Sequence, residues 1–280
     1  MVKTKKQPLL YLCATPIGNL GDMTLRALEV LAGADTIACE DTRVSGKLLK
    51  HYQIRKELFA YHEHNKHEAG EALIKKMKAG QVVVLLSDAG MPGINDPGME
   101  LIRRCQEEEI LYSVLPGPSA FITALVFSGM DSSSFSFRGF FPKNNKEKKK
   151  ISEWLDNDEA TTIFYETPHR INKTLAWIAE QWPKRELAVI REISKLYEEM
   201  IKGSAEEVLE EAESRVLKGE MVLIISGAKE NDTTVYTDQD LDALFQRFQE
   251  QGATKKEAIA MMADYTGQSK NELYQRFMLK

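Results

Sequence analysis

VVVLLSDAGMPGINDPG, running from Val82 to Gly98, is the stretch that decides the fold. Its first five residues are apolar and mostly valine, which suits a strand buried on both faces. Its next twelve, Ser87 to Gly98, hold three glycines, two prolines and two aspartates. Glycine lets main chain come close to a ligand, and proline holds a loop in one shape before anything binds. A plain turn needs far fewer such residues. A buried strand that opens into a long, stiff loop suits an α/β sheet that reads an adenosine or amino-acid moiety with backbone groups at its strand ends.

Outward from this stretch the pattern recurs. Leu9 to Ala14, Thr36 to Cys39 and Leu111 to Leu115 are strand-like runs on either side of it, and Thr161 to Tyr165, Leu187 to Ile190 and Met221 to Ile225 form a second set. Amphipathic segments fill the gaps. Thr24 caps a helix with Leu25, Leu28 and Leu31 on one face, Ala69 to Ala79 carries Leu73, Ile74 and Met77, and Ile171 to Gln181 carries Ile171, Leu175 and Ile178. Strands alternating with helices predict an α/β protein. Turn formers gather at Gly129 to Ser136, and the acidic stretch Glu198 to Glu220 reads as a solvated helix face. Beyond Thr237 the chain turns helical, with breaks at Gly252 and Gly267 and a last helix capped by Ser269. That tail suits a packing bundle or a helix-turn-helix. The expected organisation is an N-terminal α/β domain over 1–118, a C-terminal α/β domain over 119–236 and a helical appendage over 237–280.

Composition narrows the class. With 280 residues, 43% hydrophobic and 28% charged, the chain is an ordinary globular protein too long for one small core. No apolar run approaches the roughly 18 to 20 residues of a membrane span. Leu9 to Ala14 is too short for the apolar core of a signal peptide, so a cytoplasmic protein is expected. Cys13, Cys39 and Cys105 are far apart and set in apolar segments, which reads as buried free thiols. A net charge of −5 argues against wrapping nucleic acid over the whole surface and leaves room for a local basic patch.

Three further loops follow strands: ATPIGNL (Ala14 to Leu20), LPGPSA (Leu115 to Ala120) and FYETPHR (Phe164 to Arg170). Pro118 and Ser119 suit a helix start. No G-x-G-x-x-G fingerprint and no P-loop is present. His62, His64 and His67 have a spacing that a metal site would use, but no fourth ligand is indicated and no metal is expected. KNNKEKKK, Lys143 to Lys150, is either a solvated helix start or a phosphate-contacting patch.

These segments, together with EDTR (Glu40 to Arg43), YHEHN (Tyr61 to Asn65) and Arg191-Glu192, resemble in order and wording the ribosomal RNA small-subunit methyltransferase I family. That family comprises the cytidine-2'-O-methyltransferases and is a branch of the tetrapyrrole-methylase superfamily. The likeness runs from about Leu9 to Ala228. It implies two α/β domains with S-adenosylmethionine in the cleft between them, a homodimer, and 16S ribosomal RNA as substrate, recognised in the small ribosomal subunit. ATPIGNL stands where porphyrin-type members carry G-x-G-P-G-D, which points away from tetrapyrrole substrates. On the matching motifs, donor contacts fall to Pro16, Asp88, Gly90, Ile94, Ser119, Ala120 and Tyr165.

A ribose hydroxyl gains from a general base, and Glu40, Asp41, His62 and Glu166 are the candidates. RNA contacts are expected at Arg43, His64, Lys143 and Lys148, with Lys47, Lys50, Lys66 and Arg138 in support. Phe137, Phe140 and Phe141 either stack bases or belong to the core. Two other readings are a tetrapyrrole-type small-molecule methylase and a catalytically silent RNA-binding or ribosome-assembly factor.

Overall fold

The computed structural model describes residues 7–228, 238–266 and 268–278. The first half is five βα-type repeats. Strands β1 (Leu10–Cys13), β2 (Thr36–Cys39), β3 (Glu57–Ala60), β4 (Val83–Leu86) and β5 (Tyr112–Leu115) alternate with helices α1 (Leu25–Gly33), α2 (Thr42–His51), α3 (Lys66–Lys78) and α4 (Gly98–Glu107). The strands form one parallel sheet in the order β3-β2-β4-β1-β5. Every residue of β2 and β4 is buried, as their continuous apolar runs require. One core lies on each face of this sheet, around Leu73 and Met77 on one side and around Leu31 and Leu49 on the other.

The second half is built differently. Helices α5 (Ala120–Ser128), α6 (Asn145–Leu155), α7 (Ile171–Gln181) and α8 (Ala205–Glu213) pack on strands β6 (Phe135–Phe140), β7 (Thr161–Glu166), β8 (Glu186–Arg191), β9 (Glu199–Ser204) and β10 (Met221–Ile225). The order is β6-β7-β10-β8-β9. Only β6 and β7 run parallel; β10 pairs antiparallel with β7 and β8, and β9 antiparallel with β8. The two-sheet α/β architecture matches the expectation. Three strands escape the sequence pattern: β3, β6 and β9. All three are sheet edges with mostly part-exposed residues, so no continuous apolar run marks them. The stretch Glu198 to Glu220 therefore begins as edge strand β9, not as helix. Its helix starts only after Ser204, whose hydroxyl and the Glu207 carboxylate form a capping box.

Helix α1 carries another correction. Thr24 Oγ1 accepts from Ala27 N as expected, but Leu25 is 79% exposed; the buried stripe is Ala27 and Leu31, one turn apart. The three cysteines are free and buried, and burial pushes the Cys13 thiol to about 12 and Cys105 to about 11, leaving both inert.

The tail is three helices, α9 (Asp238–Glu250), α10 (Lys255–Thr266) and α11 (Lys270–Met278). They surround a core of their own that includes Leu241, Phe245, Ile259, Met262 and Leu273. This is the bundle expected of the amphipathic pattern; the break at Gly267 lies outside the described residues.

Candidate active site

The carboxyl ends of β4, β1 and β5, adjacent in the sheet, carry three loops that hold one another. Thr15 N donates to Gly90 O at 2.9 Å and Gly90 N to Thr15 O at 3.0 Å. The Ser87 hydroxyl donates to the same Gly90 carbonyl at 2.7 Å, and Thr15 Oγ1 donates to Ser87 O at 3.1 Å. Gly90 holds φ +80°, a conformation that excludes most side chains. Gly117, in the third loop, presses on Ala14: a Cβ there would lie 2.8 Å from the alanine's own. The rest of the long loop is shaped by Asp96, whose Oδ1 accepts from Gly93 N at 2.6 Å and Gly98 N at 2.9 Å. Burial raises the Asp96 carboxyl above its ordinary value. Tyr61, buried beneath, donates its hydroxyl to Pro97 O at 3.1 Å.

Above these loops lies a cavity of about 370 Å³ shared by both halves of the molecule. The first half contributes Ile17 and residues 89–91, 94 and 95. The second contributes the start of α5, the ends of β6, β7 and β8, Ile193 and the beginning of β10. Its walls are largely apolar and aromatic. Phe121 stacks on Phe137 with centroids 4.4 Å apart, and Tyr165 meets Phe137 and Phe140 edge-on at 4.9 and 5.7 Å. Burial pushes the Tyr165 hydroxyl above its usual pKa. Contacts across this space link the halves. The Ser194 hydroxyl donates to the Asp22 carboxylate, and the Asn95 side chain reaches Gly139, where a Cβ would sit 3.3 Å from its Oδ1. Gly139, at φ +69° in the irregular pairing of β6 with β7, leaves that space open.

Beside the cavity, the ends of β2, β3 and β4 gather charge. Asp88 Oδ1 accepts from Asp41 N at 3.1 Å. Asp41 caps α2, accepting from Arg43 N at 2.7 Å and from the Arg43 guanidinium at 2.7 Å, and these bonds hold its carboxyl down at about 2. Glu40 is exposed and makes no ion pair among the described residues. Desolvation, then the charges of Asp88 and Asp96, raise its carboxyl above the ordinary value, with His62 opposing. His62 Nδ1 is buried with no hydrogen-bond partner among the described residues, and its ring lies edge-on to His64 at 6.1 Å. His67 turns away to Glu100 at 2.9 Å, so the three histidines do not converge.

Residues 9–209 match the family model for tetrapyrrole (corrin/porphyrin) methylases. The chain belongs to that methylase family. Proteins called ribosomal RNA small subunit methyltransferase I are similar over almost the whole length. The one from Haemophilus influenzae is 43% identical over 272 residues, covering 95% of each chain. That from Bacillus subtilis strain 168 is 41% identical over 277 residues, 97% of this chain and 94% of its own. Among solved structures, uroporphyrin-III-C-methyltransferase from Thermus thermophilus shares the fold at 20% identity and TM-score 0.56, covering 78% of this chain and 94% of its own. Diphthine synthase does so at 14% identity and TM-score 0.62, covering 78% and 89%. This places the chain within the methylases named for small-subunit ribosomal RNA.

In this methylase, five of the seven residues expected to contact the donor line the cavity: Gly90, Ile94, Ser119, Ala120 and Tyr165. Ser119 is the N-cap of α5 but its hydroxyl makes no capping bond, which leaves it available to the cavity. Pro16 and Asp88 lie off the wall; Ile17 takes the first place, and Asp88 stands at the charged mouth. Sequence reading passed over the wall supplied by Ile190, Ile193, Met221 and Val222. These residues sit in or next to recognised strands, and only sheet order shows which strand ends meet the loops.

Glu166 borders the cavity but is only 2% exposed, and both its oxygens are engaged. They accept from Thr167 N at 2.8 Å and from the Thr174 hydroxyl at 2.6 Å, and pair with Arg170 at 3.2 Å. Arg170 in turn donates to Phe141 O at 2.5 Å. The carboxylate and arginine of FYETPHR thus clamp β7 to α7 and to the end of β6. Of the proposed RNA contacts, Arg43, His64 and Lys143 are exposed, while Lys148 lies over Trp177 at 5.5 Å. The three phenylalanines divide: Phe141 is core, Phe137 is sandwiched beside Tyr165, and Phe140 is exposed at the cavity.

Proposed function

We infer that this methylase transfers the methyl group of S-adenosylmethionine to the 2'-hydroxyl of a cytidine in small-subunit (16S) ribosomal RNA, working as a cytoplasmic homodimer. The observation that carries the reading is the two-sided cavity closed by the Thr15–Gly90 pairing, with the Glu40 carboxylate beside the same long loop. The substrate class follows the relatives named for small-subunit ribosomal RNA, which align over 95–97% of the chain.

The residues present fit the donor. A cavity of about 370 Å³ is in the range of small-molecule sites, and its aromatic wall of Phe121, Phe140 and Tyr165 suits both an adenine ring and a sulfonium charge. Bound there, S-adenosylmethionine supplies an already activated methyl group, so the chain's own work is alignment, exclusion of water and removal of one proton. Alignment in favourable cases is worth on the order of 7 to 11 kcal/mol. Glu40 takes the hydroxyl proton. Its raised pKa makes it a stronger base than an ordinary carboxylate, whereas Asp41 is held by Arg43 and Glu166 by its clamp. His62, with an unpartnered ring nitrogen, orients the acceptor beside it. Arg43, His64, Lys143 and Lys148 steady the RNA. The domains are taken as 1–118, 119–236 and 237–280, with the tail outside the chemistry.

The deciding experiment offers radiolabelled S-adenosylmethionine and small ribosomal subunits lacking the modification, and maps the label by nuclease digestion. Label in a 2'-O-methylcytidine is expected. Donor binding with label only in a small tetrapyrrole, or in nothing, overturns the reading.

A further inference from the structure

We propose that the groove between the end of α2 and β3 is an RNA-backbone docking surface, separate from the cavity and its mouth. The proposal rests on the ribosomal RNA reading above. Residues 42–56, TRVSGKLLKHYQIRK, hold five lysines and arginines and no acidic residue, in a chain whose net charge is −5. Arg43 is paired with Asp41. Lys47, Lys50, Arg55 and Lys56 make no ion pair or side-chain hydrogen bond with any described residue.

Geometry arranges these charges. Arg43, Lys47 and Lys50 are spaced i, i+4, i+7 and so form one stripe along α2. That helix begins at Asp41, which binds Asp88 at the mouth of the site, and its ten residues carry the stripe about 15 Å away from it. The stripe ends at a groove of about 750 Å³ with Lys50, Gln53, Arg55 and Lys56 on its rim and Leu49 and Leu58 in its floor. Gln53, at φ +58°, turns the chain out of α2 so that Arg55 and Lys56 face the end of the helix. A lysine in the last turn of a helix complements the helix dipole, which accounts for Lys50 alone. Arg55 and Lys56 lie beyond the helix and have no such reason to gather there. Unpaired cations crowded on one rim repel each other, and a polyanion laid in the groove relieves that repulsion while releasing its counterions. The stripe then leads a bound strand from the groove to the acceptor position beside Glu40.

The test replaces Lys50, Arg55 and Lys56 with glutamine in the full chain. Binding and methyl transfer are measured on small subunits lacking the modification, across a salt series. Each phosphate contact contributes about 0.7 to the slope of log affinity against log salt for single-stranded RNA, so the slope is expected to flatten by about 2. KM for subunits should rise on the order of tenfold at moderate salt, while kcat, donor affinity by calorimetry and the melting temperature hold. An unchanged slope and KM, with the unaltered protein active, would overturn the groove alone. A raised KM with an unchanged slope would also overturn it, because the contact would not be to phosphate. Failure of the unaltered protein to label any subunit would overturn the ribosomal RNA reading, and the groove's role with it.

Discussion

The two halves of the molecule each place a carboxylate at the carboxyl end of a strand, in opposite surroundings. Glu40 follows β2 in the parallel sheet, is exposed, and faces Asp88 and Asp96 with His62 opposing them. Glu166 ends β7 in the mixed sheet, is buried, and is neutralised by Arg170 and two hydrogen bonds. The difference follows from topology. Parallel strands with crossover helices bring every strand's carboxyl end, and so every loop that follows a strand, to one edge of the sheet. Antiparallel pairing alternates strand direction, so the second sheet offers fewer loops to the cavity and more strand side chains, such as Ile190 and Val222. In the proposed reaction the first half supplies the base, while both halves supply wall.

The largest effect that would test this division is on turnover. Glu40→Gln should lower kcat by roughly 10² to 10⁴-fold, the range for loss of a general base, while donor affinity holds. A kcat within a few-fold of the original would remove Glu40 from the chemistry and leave His62 as the candidate.

Next comes Glu166→Ala. It should destabilise the protein by about 3 kcal/mol, because Arg170 and the Thr174 hydroxyl lose their partner inside the fold; urea unfolding measures this. Folded enzyme saturated with both substrates should turn over normally. A turnover defect without a stability defect would break the comparison, making both carboxylates chemical.

A pair of glycine replacements sharpens it further. Gly90→Ala and Gly129→Ala each force a side chain into left-handed backbone, at φ +80° and +63°, for roughly 1 to 2 kcal/mol apiece. Only Gly90 lies on the cavity, so only Gly90→Ala should also weaken donor binding, about tenfold by calorimetry. Equal loss in both would mean that the loop's shape is not what the donor reads.

The smallest effect is a pH dependence of stability. The Glu40 carboxyl is raised in the folded protein, so folding binds its proton more tightly than the unfolded chain does. Stability therefore falls as pH rises from the ordinary carboxylate value through the raised one. Glu40→Gln should remove that loss and raise the melting temperature slightly at neutral pH, with no gain below the ordinary carboxylate range. A gain that persists in acid would point to packing instead of charge.

Much of this was legible in the chain. The continuous apolar runs located the buried strands β2, β4, β8 and β10, and the glycine-proline loops located the cavity end of the first sheet, because both signals are local. Periodicity likewise found α7 and the three-helix tail. Edge strands were illegible for a physical reason: β3, β6 and β9 are covered on fewer sides, so polar residues interrupt them and their pairing comes from a neighbour far along the chain.

What the sequence by itself determined was the inventory: an α/β chain with four loops at strand ends, free thiols and a helical tail. What only the tertiary structure decided was allegiance. EDTR and FYETPHR each place a carboxylate and an arginine close together, and nothing in either segment says which carboxylate is free. That depends on Thr174, one turn into α7, and on Asp88 and Asp96, more than forty residues from Glu40 in the chain. A carboxylate's charge state and availability are set by whatever the fold brings within a few ångströms of it, and such distances exist only once the chain has folded.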